Sequence, residues 1–317
     1  MDWNKVDDNL NKAIDGALKL INPRTVAMSV AKSVAKKAIE SDYWKNKFLV
    51  PHYVSKIANN TYMITEAMLF NSYLFIGKER ALLIDTGVGV NGLLDEVRKL
   101  TDKPLVVVAT HSHISSVGGA GEFDEVYIHK KDLKDARRYN SYWLRKLAFK
   151  AVPTRFFLDI DEDCLTKEKG KFIPLGKKQR EFDLGGRKIK IIHTPSHTMG
   201  SCCFVDSDTD ITITGHVTTP VSVMILPHAT TISKYAETFD SLMEYLKDRR
   251  NYSGVWIKPL SYERTCDLRD LADESVGFSN DYTRFIRFRF SLDKRRLLIY
   301  YPAKTLRRSF WMRIRTL

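Results

Sequence analysis

The chain has 317 residues, 44% hydrophobic and 28% charged, with a formal net charge of +13 at pH 7. These are ordinary globular values, and they exclude wholesale disorder and a collagen-like repeat. With thiols only at Cys164, Cys202, Cys203 and Cys266, a disulfide-rich secreted scaffold is excluded too.

Residues 3–21 place Trp3, Val6, Leu10, Ile14, Leu18 and Ile21 on one helix face, which Asn22-Pro23 ends. A second helical stretch runs over 25–40 with Val26, Val30 and Val34 on one stripe. Residues 1–48 therefore read as a helical extension, packed on the domain or a partner chain or lying on a membrane surface. No apolar run reaches the roughly 18 residues of a membrane span, and no apolar block of the signal-peptide kind opens the chain. The expected compartment is the cytoplasm, with a peripheral membrane contact left open.

A main domain is expected over 49–280. TYMITEA, SYLFIG, RALLID and LVVVAT read as strands in quick succession, with a helical stretch at 91–100 before the last. EVYIH at 125–129 is a further strand, and 131–151 reads as a helical, basic insert. A second strand series follows at 187–193, 201–205 and 211–214. A long amphipathic helix from Thr231 to Asp248 then precedes a strand in GVWIK. Cys202 and Cys203, inside SCCFV, read as small buried hydrophobes. Strands with helices, twice over, predict an α/β (α+β) fold of two facing sheets with helices outside.

The charge is concentrated at one end. From Arg284 to Leu317 there are eleven Lys or Arg and one acid, Asp293. Ile286, Phe288 and Phe290 alternate with Arg287 and Arg289, and LLIYY at 297–301 is the expected return strand. Residues 281–317 thus read as a basic hairpin and tail, suited to an anionic membrane surface or an acidic partner over 284–317. There is no specific nucleic-acid signal beyond this charge.

Three short turn contexts hold five of the eight histidines. THSH places His111 and His113 directly after a buried strand, HTPSHTMGS places His197 in a turn, and TGHV places His216 at a strand end. Side chains at i and i+2 of a strand end point the same way, so His111 and His113 can converge on one ion. With His197 they supply three nitrogen ligands, the number that a catalytic zinc site uses.

At this point the chain resembles the metallo-β-lactamase-fold hydrolases. ALLIDTG at 81–87, THSHISSVGG at 110–119, HTPSHTMGS at 193–201 and TGHV at 214–217 occur in the family's order, within about residues 52–260. The resemblance implies a four-layer αββα sandwich with a metal site at one sheet edge, and hydrolysis through a metal-bound water. It also makes Asp85 of DTG a support for the metal-ligand loop.

The chain departs from the family in one direction. Ser115 and Ser116 stand where the motif has Asp and His, His216 stands at the bridging Asp, and KPLSYE puts Leu260, Ser261 or Tyr262 at the last His. Ligands of the first ion are kept and those of the second are replaced, and a hydroxyl is a poor substitute for a carboxylate at a divalent ion. The reading is a mononuclear site or none, with zinc or another divalent metal on His111, His113 and His197. His216 is open as a fourth ligand, a base beside the metal, or a filler of the lost carboxylate's space. Tyr262 is a candidate for an oxyanion.

The expected function is a metal-dependent hydrolase of a small ester, thioester or lactone-like substrate, with anionic ones favoured by the neutral ligand set. The alternative is an inactive member of the fold serving as a binding or membrane- and partner-interaction module.

Overall fold

The computed structural model describes residues 52–66, 69–151, 164–176, 179–219, 221–224, 229–277, 287–291 and 296–300. The expected helices over 3–21 and 25–40 and the stretch 301–317 lie outside the described residues.

In chain order the strands are β1 (His52–Ala58), β2 (Thr61–Glu66), β3 (Phe70–Ile76), β4 (Ala81–Ile84), β5 (Leu105–Val108), β6 (Glu125–Ile128), β7 (Lys171–Pro174), β8 (Glu181–Asp183), β9 (Lys188–His193), β10 (Cys202–Asp206), β11 (Ile211–Gly215), β12 (Val221–Met224), β13 (Arg250–Ser253), β14 (Arg287–Ser291) and β15 (Arg296–Tyr300). The helices are α1 (Leu93–Leu100), α2 (Ile114–Val117), α3 (Leu133–Tyr139), α4 (Tyr142–Ala151), α5 (Ile232–Leu242) and α6 (Tyr262–Gly277).

One sheet runs β1 to β7 in sequence order, and a second has the order β13-β11-β10-β9-β8. The period-2 alternation of the strands makes the layers. Tyr73, Phe75, Leu82, Ile84 and Val108 of the first sheet face Phe182, Ile189, Cys202, Phe204, Ile211 and Ile213 of the second in one buried cluster. The intervening residues Leu74, Ala81, Leu83 and Val107 point outward to Leu93 and Val97 of α1, Val117 of α2 and Ala136 of α3. On the far side, Cys203 faces Tyr235, Phe239 and Leu242 of α5 and Leu268 and Leu271 of α6. The result is the expected helix–sheet–sheet–helix sandwich. Cys202 and Cys203 are buried on opposite faces of β10, and burial pushes both thiols up, Cys203 to about 12.

Arg187 clamps the two sheets at one edge. Its guanidinium donates to Asp206 Oδ1 at 3.0 Å and Oδ2 at 2.5 Å within the second sheet. It also donates to the Asn60 carbonyl at 2.9 Å and Thr61 Oγ1 at 2.6 Å at the first. Buried charge is tolerated here because every side of the planar fork has an acceptor.

Several expectations are corrected. GVWIK is not a strand: parallel pairing with β11 covers Arg250–Ser253, and the next residue, Gly254, turns away, donating its N–H to the Gly215 carbonyl at 2.8 Å. The helix expected from Thr231 to Asp248 ends at Leu242, followed by a 3-10 turn over Met243–Tyr245. Asp248, at φ 56°, then reverses the chain into β13. The basic insert over 131–151 is helical as expected, in two helices, α3 and α4. Helix α6 goes unseen in the sequence because YERTCDLRDLADESVG carries few apolar residues, and Leu268, Leu271 and Ala272 reach the core only through tertiary packing.

The basic hairpin pairs as expected, Phe288 opposite Ile299 and Phe290 opposite Leu297. It adds in parallel to β12, forming a third sheet of order β12-β15-β14. Among the described residues no helix is long and apolar enough to cross a membrane.

Candidate metal centre

The site forms at one edge of the sandwich for a topological reason. Strands β4, β5 and β6 are parallel, so their C-terminal ends share an edge. In the second sheet β9 and β11 both run antiparallel to β10, so their C-terminal ends also coincide. Asp85 follows β4, His111 and His113 follow β5, His197 follows β9, and His216 follows β11. The N–H of Cys202 bonds the Thr110 carbonyl at 2.9 Å, joining the two sheets beside the first ligand loop.

His111, His113 and His197 are all buried, and each offers a ring nitrogen to a group in which the three lie within 4.8 Å of one another. His113 Nδ1 and His197 Nε2 are 2.7 Å apart. His111 turns Nε2 into this group, where the atom is buried without a hydrogen-bond partner. Its other nitrogen, Nδ1, lies 2.9 Å from Thr110 Oγ1 and 3.0 Å from Ser116 Oγ. Thr110 Oγ1 donates to Asp85 Oδ2 at 2.8 Å, so it accepts from Nδ1–H, and the Nε2 lone pair is left facing the cluster.

Asp85 completes that relay by accepting the Thr110 N–H on Oδ1 at 2.6 Å. Burial pushes its carboxyl up to about 7, against the opposing pull of the Thr110 bonds. It occupies φ 65°, a backbone position that Asp tolerates better than most residues.

His216 stands beside the three-nitrogen group without joining it. Its ring centroid is 4.6 Å from that of His111 and 5.0 Å from that of His197, and Nε2 is 3.4 Å from Ser115 Oγ. A Cβ at Gly254 would come within 2.9 Å of its Cδ2, so a glycine is required there to seat the ring. Tyr262 opens α6 and packs on the cluster between α5 and α6, and no hydrogen bond or ring contact described for it reaches the histidines. Leu260, one of the three residues at the place of the missing histidine, is buried and bridges to Asn251.

Sequence reasoning missed Asp132. It is fully buried, and it does not cap α3 although it sits at the N-cap. Its Oδ2 accepts from the Ser112 N–H at 2.9 Å and the Thr198 hydroxyl at 2.6 Å, and Oδ1 accepts from the Gly200 N–H at 2.8 Å. One carboxylate therefore ties the loop between His111 and His113 to the turn after His197. The available signal was an acid among Lys130, Lys131 and Lys134 directly after a strand end. Tyr139 of α3 also touches the site, its ring 5.3 Å from that of His113.

Burial holds His111 well below the usual imidazole value, and it holds His216 at about 4. At pH 7 these rings are neutral, the state that ligates metal. A depressed imidazole pKa makes the unfolded chain bind protons first as pH falls. The metal-free protein is therefore expected to lose stability between about pH 6.5 and 4, and to change little from this source above 6.5. Urea unfolding at pH 7.5 and 4.5 checks this, and an unchanged midpoint would contradict it.

The sequence model of the metallo-beta-lactamase superfamily matches residues 70–250, more than half of the chain. The chain belongs to the metallo-β-lactamase superfamily. The human acyl-coenzyme A thioesterase MBLAC2 is 29% identical over 201 residues, covering 56% of this chain and 68% of that protein. A probable metallo-hydrolase of Bacillus subtilis, YqgX, is 24% identical over 155 residues, covering 46% of this chain and 65% of its own length. In fold, a metallo-beta-lactamase from Pontibacter korlensis superposes with a TM-score of 0.51 at 15% identity, over 70% of this chain and 99% of that one.

Within this superfamily the chain is a divergent member. Among the described residues a single group, His111, His113 and His197, could hold a metal ion. At the replaced positions Ser116 bonds His111 and Ser115 faces His216, so the hydroxyls serve imidazoles.

Proposed function

We propose that the protein is a hydrolase with one divalent ion, zinc, on His111, His113 and His197, acting on a thioester of the acyl-coenzyme A kind. The observation that carries the metal is His111 Nε2, a buried lone pair with no partner, aimed at two further imidazole nitrogens. A buried polar atom left so is costly unless something binds it. Three neutral nitrogens in a closely spaced set suit zinc. The thioester rests on the activity named for the human relative.

A divalent ion bound there supplies Lewis-acid polarisation of a carbonyl and acidifies water. The chain's own residues do the rest. Asp85 and Thr110 hold the His111 tautomer, and Asp132 keeps the two ligand loops in register. His216 and Ser115 form a polar wall beside the three nitrogens, where they orient the reacting group. The neutral ligand set leaves a bound dication uncompensated, which favours an anionic substrate.

The test is elemental analysis of the purified protein, followed by thiol release from acyl-coenzyme A thioesters of several chain lengths. About one zinc per chain and thiol release that stops with chelator are expected. Full zinc occupancy without thiol release from any of them would overturn the substrate and leave the sandwich as a binding module.

His216 separates the site's parts. With His216→Ala, metal content is expected to stay near one ion per chain while turnover falls about 10–100-fold. Loss of the ion in that variant would instead make His216 a fourth ligand.

A further inference from the structure

The loop and helix between His129 and Tyr139 carry more charge than the metal centre uses. Lys130, Lys131, Lys134, Arg137 and Arg138 are all exposed. The acids of the same stretch, Asp132 and Asp135, are both buried. The outer face is therefore cationic only. None of these cations has an ion-pair partner among the described residues.

Lys134, Arg137 and Arg138 stand at i, i+3 and i+4, the spacing that makes neighbours on a helix surface. Like charges at this spacing destabilise an isolated helix, and here no exposed acid relieves them. A bound anion would.

The inner side of the same segment is part of the site. Asp132 holds both ligand loops, and Tyr139 packs on His113. At the segment's start, His129 stacks on His193, ring centroids 4.1 Å apart, joining the ends of β6 and β9. Burial first, then His193, Lys131 and Lys130 hold His129 down to about 4, and His193 is lowered by burial with Lys131, Lys234 and Arg180 contributing. Of these lysines, Lys234 is paired with Glu237 at 3.0 Å. The rim is thus positive where it meets the metal-centre edge.

We propose that the outer face of α3 and the loop before it bind the phosphate-bearing end of the substrate, while the scissile carbonyl lies at His111, His113 and His197. This rests on the thioester reading above. The inner side of the helix packs on His113 through Tyr139, and a helix with its side chains is about 10 Å across, so phosphates on the outer face are separated from the histidines by the helix itself. The substrate is then a thioester whose thiol belongs to an extended arm ending in phosphates. Arginine forks bind phosphate oxygens bidentately, and lysines add point charge.

The test uses the zinc-loaded full chain and its K134A/R137A/R138A variant, whose changes are at exposed positions. Coenzyme A and pantetheine, the same thiol arm without phosphates, are the probes, with binding read by calorimetry. Each exposed contact is weak singly, so a triple loss of about 10-fold in coenzyme A affinity is expected, and the loss for coenzyme A exceeds that for pantetheine by the same factor. Raising salt should weaken coenzyme A binding to the native chain. The KM for acyl-coenzyme A should rise with it.

Equal affinity of the native chain and the triple variant for coenzyme A overturns the proposal. So does retention on phosphatidylserine vesicles through these residues without coenzyme A binding, which would make the face a membrane contact. If coenzyme A binds as expected but no thioester is cleaved, the face stands and the hydrolase reading falls.

Discussion

Replacing His111 and His113 together by alanine is expected to take bound metal from about one ion per chain to near none, and to abolish chelator-sensitive hydrolysis. Two of three nitrogen ligands disappear, and His197 alone cannot hold a dication against water. Lewis-acid assistance is worth several kcal/mol of barrier, so the fall in turnover should be on the order of 10³-fold or more. Both rings are buried, so alanine also opens space, and far-UV circular dichroism of the variant must show a retained fold. His113→Gln, closer in volume, repeats the measurement with less cavity. A folded variant that keeps its metal and its activity would place the reaction elsewhere.

The second large effect is expected at Asp132. Alanine there strands the Ser112 N–H and the Gly200 N–H in a buried place and leaves the Thr198 hydroxyl only Ser201 Oγ, at 2.9 Å. Unsatisfied buried groups cost about 1–3 kcal/mol each. The carboxylate's own burial, which raises its pKa, offsets part of this, and a net loss of about 3 kcal/mol is expected in urea unfolding. Because the same oxygens hold the loops of His113 and His197, zinc affinity of the folded variant should fall about 10–100-fold in a chelator competition. Asp132→Asn keeps the volume and one accepting oxygen and should fall between. A less stable Asp132→Ala protein with unchanged zinc affinity would reduce Asp132 to a part of the fold.

The part of the candidate site legible in the sequence is the part whose residues are close in the chain or follow a strand. His111 and His113 share a turn after one strand, His197 and His216 each follow another, and Asp85 follows a fourth. Strand alternation also set the layers: Leu82 and Ile84 face one way, Leu83 the other. What stayed hidden depends on partners distant in the chain. Helix α6 has too thin an apolar stripe to be seen without α5 against it. Strand β13 ends at Ser253, and the glycine after it leaves room for the His216 ring, a contact between residues 38 apart in the chain. Asp132 carries no signal of its role until its oxygens are seen on Ser112, Thr198 and Gly200.

The sequence by itself determined the ligand types, the loss of the second-metal carboxylate and histidines, and the alternation that stacks two sheets between helices. These follow from residue identity and from the 2.0 and 3.6 periods of strand and helix. Only the tertiary structure decided which imidazoles converge, because parallel strand ends from two sheets had to meet at one edge. It left His216 beside the group of three and packed a half-buried Tyr262 against the cluster between α5 and α6. It also turned Asp132 and Asp135 inward while their basic neighbours stayed in water. Direction relative to the core is set by packing across the whole sandwich, which no local spacing encodes.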